Sequence, residues 1–239
     1  MAGELKSDGL RSLLKSKTIE ESLKTLAVLY PGKTVFTTSF GIEDQVITHL
    51  ICVNDIPIEI ATLDTGRLFP ETYKVFNETI KKYKVPIKVF FPEHDEVEEM
   101  VSRKGPFSFY YSAENRIECC RIRKVEPLGR ALKGKEIWIS GIRSGQSDNR
   151  QQMDSIEYDD KKNLFKYYPL FDWSYEKVKE FALKNEIPYN ILHDRGFVSI
   201  GCEPCTRAIK PGEDFRSGRW WWENSDKKEC GLHQKEDKR

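Results

Sequence analysis

The sequence predicts an α/β protein: a mostly parallel, twisted sheet with helices on both faces. Three observations carry this. β-rich runs alternate along the chain with segments of helical hydrophobic period. The segments that follow the β runs are polar turns opening into helices, as right-handed crossovers require. Over 239 residues, 38% hydrophobic and 12% aromatic content suffices for a sizeable core. The expected organisation is one α/β domain over 1–215 with a C-terminal tail over 216–239.

Taken in order, Thr18 with Glu21 three residues on forms a capping box. Ile19, Leu23, Leu26 and Ala27 then recur at helical spacing until Pro31 and Gly32 stop the helix. Lys33 to Thr38 is a short β run, followed by a helix from near Glu43. A strand over Ile58 to Leu63 leads into a helix opened by Pro70. Ile87 to Phe91 is the next strand, and Asp95 to Ser102 the next helix. A helix over Val125 to Leu132 tolerates Pro127 only near its start. Glu136 to Ser140 is a buried strand, and Trp173 to Lys184 an amphipathic helix. There is no internal repeat, and residues 234–239 are charged and expected to be disordered.

Net charge is +1, from 39 basic and 38 acidic residues, so no global field draws the chain to nucleic acid or an anionic membrane. The N-terminus lacks the hydrophobic stretch of a secretory signal, and no segment approaches the roughly 20 apolar residues of a membrane span. The expected location is the cytoplasm. There the six cysteines suit metal binding or catalysis better than disulfides.

Three turns could carry chemistry. TTSFGIEDQV places Ser39 and Gly41 between a strand and a helix N-terminus, where backbone N–H groups can meet a phosphate; an ordinary serine-capped turn is the alternative. LDTGRLFPETY offers Asp64, Thr65 and Arg67 at a strand's C-terminal end, where open α/β sheets bind ligands. GIRSGQSDNR carries Arg143 and Arg150, either a solvated surface pair or an oxyanion contact.

The cysteines are more specific. Cys119 and Cys120 are adjacent, and Cys202 and Cys205 are separated by two residues; together they make a thiolate set suited to zinc or to an iron–sulfur cluster. Cys52 falls on an apolar helix face and reads as core. Cys230 stands in a Lys-rich segment with His233 three residues on, either an incidental tail thiol or a nucleophile. Trp220, Trp221 and Trp222 cannot all face one side of an element, so at least one is expected against a partner surface or ligand ring.

ECCRIRKVEPL, SIGCEPCTRAIKPGEDFRSGRWWWE and KECGLH, with SFGIEDQV and LDTGRLFPETY, resemble the assimilatory adenylyl-sulfate (APS) reductases, relatives of the phosphoadenylyl-sulfate (PAPS) reductases. The resemblance runs from about Thr34 to His233. It implies an adenine nucleotide α hydrolase-like sheet related to the PP-loop ATP pyrophosphatases. It implies a [4Fe-4S] cluster on Cys119, Cys120, Cys202 and Cys205, a nucleophile at Cys230, and a phosphate loop over Ser39 to Asp44. It further implies Lys124 between cluster and substrate, substrate contacts from Arg216, Arg219 and His233, and thioredoxin as reductant. Ser144 departs from the family, which often has a second arginine there. Self-association is left open. Two other classes compete: a PP-loop enzyme consuming ATP, opposed by the absence of the Ser-Gly-Gly-x-Asp-Ser form, and a zinc module binding protein through the tryptophans.

Overall fold

The computed structural model describes residues 2–223. Cys230, His233 and the charged residues 234–239 lie outside the described residues. In chain order the elements are α1 (Ala2–Leu14), α2 (Ile19–Leu29), β1 (Thr34–Thr38), α3 (Ile42–Val53), β2 (Glu59–Leu63), α4 (Pro70–Tyr83), β3 (Lys88–Phe90) and α5 (His94–Lys104). Then come α6 (Ala113–Cys120), α7 (Glu126–Ala131), β4 (Ile137–Ile139), α8 (Asp148–Gln151), β5 (Ile156–Asp159), β6 (Leu164–Tyr167) and α9 (Tyr175–Lys184).

Among the described residues the strands form one six-stranded sheet in the order β3-β2-β1-β4-β6-β5. The β1 strand pairs in parallel with β2 and with β4, and β4 pairs in parallel with β6. The edge strand β5 is antiparallel to β6, a hairpin that the expected alternation of strand and helix did not contain. Strand order reverses between β1 and β4, which makes the carboxyl ends of those two strands the topological switch point.

The capping box of α2 is present, with Thr18 N–H donating to Glu21 Oε2 at 2.8 Å and Glu21 N–H to Thr18 Oγ1 at 3.2 Å. The N-terminal stretch forms α1, a helix the sequence reading omitted; Leu10 and Leu14, one turn apart, are buried, and α1 packs on β5. None of the helices among the described residues is long and apolar enough to cross a membrane.

Contacts divide the chain into two compact units, differently from the expected body and tail. The first comprises the segments ending at Thr62, Pro70–Lys88 and Gly134–Ile191. Its core joins Leu23, Leu26, Phe36, Val46, Ile47, Ile137, Ile139 and Val178. The second comprises Leu63–Phe69, Val89–Lys133 and the chain from Leu192 onward. Its core is Met100, Phe109, Ile122 and Trp220 together with Cys119, Cys120, Cys202 and Cys205. No boundary falls at 215 because Trp220 is completely buried within that second core, and its N–H donates to Cys205 O at 3.2 Å. Glu223 is tied in as well, through a buried ion pair with Arg116 at 2.8 Å.

Candidate active site

In the first unit, the turn between β1 and α3 and the loop after β4 meet at the switch point. Ser39 N–H and Ser39 Oγ donate to Asp44 Oδ2 at 2.7 and 2.6 Å, and Gly141 N–H donates to Asp44 Oδ1 at 3.0 Å. The Ser39 N–H, expected to face a phosphate, is thus turned on the chain's own carboxylate, three residues inside the helix. The approach is close enough that a Cβ at Gly141 would collide with that carboxylate. Phe40, between Ser39 and Gly41, holds a left-handed φ of 60° that costs a bulky residue about 1–2 kcal/mol. Burial of its ring, stacked on Phe76 at 4.6 Å, offsets that cost.

Beside Asp44, Glu43 Oε1 accepts from Arg143 Nε at 2.8 Å and from Gln146 Nε2 at 3.0 Å, while Arg150 donates to Gln146 Oε1. Arg143 and Arg150 are both buried, so the surface reading of this pair is excluded. What the sequence missed is that consecutive acidic residues on α3 collect both loops.

Burial pushes the Asp44 carboxyl from its ordinary value near 3.8 up to about 6, against the pull of the Ser39 hydrogen bonds. A raised acid binds its proton more tightly in the folded chain than in the unfolded one. Its contribution to stability is therefore greatest below about pH 4 and is lost as pH rises to about 6. The gap corresponds to roughly 3 kcal/mol. Comparing denaturant midpoints from pH 4 to 8, the stability of wild type minus that of Asp44→Asn should fall across pH 4 to 6 and stay level above it. A difference independent of pH would show that Asp44 ionises normally.

In the second unit, all four paired cysteines line one pocket. Its other walls are Arg67, Phe109, Arg116, Arg123, Lys124, Pro204 and Trp220. Cys119 and Cys120 end α6, and the helix continues through a π turn over Arg121–Val125 into α7. The wider closure of a π turn, i to i+5 rather than i to i+4, brings residues five apart toward one face. Cys119 and Lys124 have that spacing, and both face the pocket. Cys202 and Cys205 are held by a 3₁₀ turn over Glu203–Cys205, whose Glu203 N–H donates to Arg67 O at 2.8 Å. Cys202 Sγ lies 3.3 Å from Thr65 Oγ1, and Arg123 donates to Thr65 O at 2.6 Å.

Burial pushes the Cys205 thiol up to about 12, with Cys202 and Cys119 adding to the effect and Lys124 and Arg219 opposing it. Cys119 is raised by burial too, against Arg123. Holding these sulfurs as thiolates therefore requires positive charge inside the pocket, which a metal centre supplies; an all-sulfur donor set suits iron–sulfur or zinc. Among the described residues no three His, Cys, Asp or Glu side chains converge on a single ion. The four cysteines are among the residues that line the one pocket.

The remaining predicted residues fall as follows. Asp64 Oδ1 accepts from Gly66 N–H at 2.8 Å, and Arg67 donates to Pro106 O at 2.6 Å. Arg216 and Arg219 both lie over the Trp220 ring, at 5.9 and 4.9 Å, and Arg116 joins them at 4.7 Å. Ser39, Gly41, Arg143 and Arg150 belong to the first unit; Asp64, Arg67, Lys124, Arg216, Arg219 and the four cysteines belong to the second. Sequence reasoning missed Arg116 and Arg123, which carry no motif of their own. Cys52 is half-buried against the first core, its thiol raised to about 11 by burial and then by Asp55.

Residues 33–208 match the family described as phosphoadenosine phosphosulfate reductase domain. The chain is 51% identical over 202 residues to the adenosine 5′-phosphosulfate reductase of Agrobacterium fabrum, covering 84% of this chain and 78% of that protein. It is 50% identical over 230 residues to the adenosine 5′-phosphosulfate reductase of Sinorhizobium fredii (strain USDA 257), covering 96% and 91%. Among solved structures, the PAPS reductase of Candida auris, a phosphate complex, superposes with a TM-score of 0.72 at 27% identity, covering 84% of this chain and 95% of that one. The FMN adenylyltransferase of Candida glabrata shares the fold alone, with a TM-score of 0.52 at 18% identity over 92% and 81%. By a match spanning most of its length, and with half its residues shared with these reductases, the chain belongs to the phosphoadenosine phosphosulfate reductase domain family.

Proposed function

We propose that this chain is a cytoplasmic APS reductase, which converts adenosine 5′-phosphosulfate to sulfite and AMP in sulfate assimilation. The observation that carries the reading is the pocket lined by four buried thiols and a ring of basic side chains, in a chain half identical to APS reductases. Cys119, Cys120, Cys202 and Cys205 would hold a [4Fe-4S] cluster, whose iron offsets the charge of the buried thiolates. The nucleotide would take the crevice beyond β1 and β4, the ligand position of open α/β sheets.

The Cys230 thiolate attacks the sulfur of APS; the S–O bond to the phosphate breaks, AMP leaves with the electron pair, and Cys230 carries an S-sulfonate. Arg67, Arg123 and Lys124 line the pocket and would balance charge on the sulfonate oxygens. Release needs an external dithiol, for which thioredoxin is the proposed donor. One donor thiolate attacks Cys230 Sγ, sulfite leaves with the S–S electron pair, and the second donor thiol resolves the mixed disulfide. The donor is oxidised by two electrons and Cys230 is restored.

The substrate assignment is tested by steady-state kinetics with reduced thioredoxin. The kcat/KM for APS should exceed that for PAPS by at least about tenfold, or 1.4 kcal/mol of transition-state discrimination. A higher value for PAPS would reverse the assignment.

A further inference from the structure

The second unit carries an aromatic face that the proposed chemistry does not use. Phe107, Tyr110, Tyr111 and Trp221 are 53%, 37%, 75% and 40% exposed. Phe107, Tyr110 and Trp221 are held in one ring cluster, with Tyr111 beside Tyr110 in sequence. Tyr110 stacks with Phe107 at 6.3 Å, meets Trp221 at 6.4 Å and Trp222 at 4.5 Å, and donates its hydroxyl to Pro204 O at 2.7 Å. Trp222 in turn packs against the cysteine core. Rigid, exposed aromatic side chains are what the centres of protein interfaces are enriched in, because they bury large area at little cost in entropy.

Chain length argues for one occupant. Glu223, two residues after Trp221, is fixed by its buried pair with Arg116. Cys230 follows seven residues later, so it lies within about 25 Å of Glu223 in any conformation. Whatever protein delivers a thiol to Cys230 must come within that radius, where this face lies. We propose that Phe107, Tyr110, Tyr111 and Trp221 form the docking surface for the protein dithiol that resolves the Cys230 S-sulfonate. The inference rests on the function proposed above.

The test uses the full-length, cluster-loaded chain and its Tyr111→Ala/Trp221→Ala variant, with reduced thioredoxin and with dithiothreitol, which needs no docking face. The variant should lose at least tenfold in kcat/KM for thioredoxin. Its AMP burst from APS without reductant and its sulfite release by dithiothreitol should match wild type. Undiminished thioredoxin turnover overturns the proposal, as does an equal loss with dithiothreitol. A slowed AMP burst would assign the face to the chain's own residues after Glu223, and a variant that dissociates on sedimentation would assign it to a second copy; either overturns the proposal. If wild type gives no AMP burst, the functional reading has failed and this inference falls with it.

Discussion

Cys230→Ser should bind APS, retain its iron and release no AMP. Wild type mixed with APS in the absence of reductant should release one AMP per active site and stop, leaving one sulfonate on the peptide that contains Cys230. Reduced thioredoxin should then remove it as sulfite. The expected loss in the variant is at least about four orders of magnitude, the scale on which removing a covalent nucleophile acts. The other thiols cannot substitute. Cys119, Cys120, Cys202 and Cys205 are buried, and the Cys52 thiol, raised to about 11, holds almost no thiolate near neutrality. Normal turnover by the variant, or a sulfonate mapped to another cysteine, would sink the mechanism.

Cys202→Ser should lose iron, sulfide and activity together while keeping its far-UV circular dichroism. Serine is a far weaker ligand for soft metals than a thiolate, and it forfeits the sulfur contact to Thr65. The remaining three thiols are buried, and burial raises those of Cys119 and Cys205, which therefore have no reason to ionise around an incomplete centre. Iron and acid-labile sulfide per chain, measured after anaerobic purification, should fall to a small fraction of wild type. Full iron occupancy would remove Cys202 from the site. Tight zinc with no iron in wild type would replace the cluster with a single-ion centre.

Much of this architecture was legible because local rules and tertiary packing agree. Thr18 and Glu21 announced α2, Pro70 opened α4, and the β-rich runs placed the strands on either side of the switch point. The paired spacing of the cysteines announced the pocket that they share. Other features were hidden for physical reasons. In α1 only Ser7, Leu10 and Leu14 are buried among the described side chains, so a reading aimed at secretory signals passed over two leucines at helical spacing. The β5–β6 hairpin consists of two four-residue strands around a charged turn, too short to show a period. The capture of Ser39 by Asp44 depends on where one carboxylate points, and the burial of Arg116 and Arg123 depends on residues distant in sequence.

The π turn over Arg121–Val125 has a consequence for how this segment can vary. Its side chains are not equivalent: Arg121 is exposed and paired with Glu96 at 2.7 Å, Ile122 packs in the second core, and Arg123 and Lys124 wall the pocket. Its length is fixed. Each residue added to or removed from a helix rotates everything beyond it by about 100°. A single-codon insertion or deletion between Cys120 and Glu126 would swing the cysteine pair away from the rest of the helix. Homologues and engineered variants can therefore exchange Arg121, whereas Arg123 and Lys124, which wall the pocket, should be kept and alignments should carry no gap across the stretch.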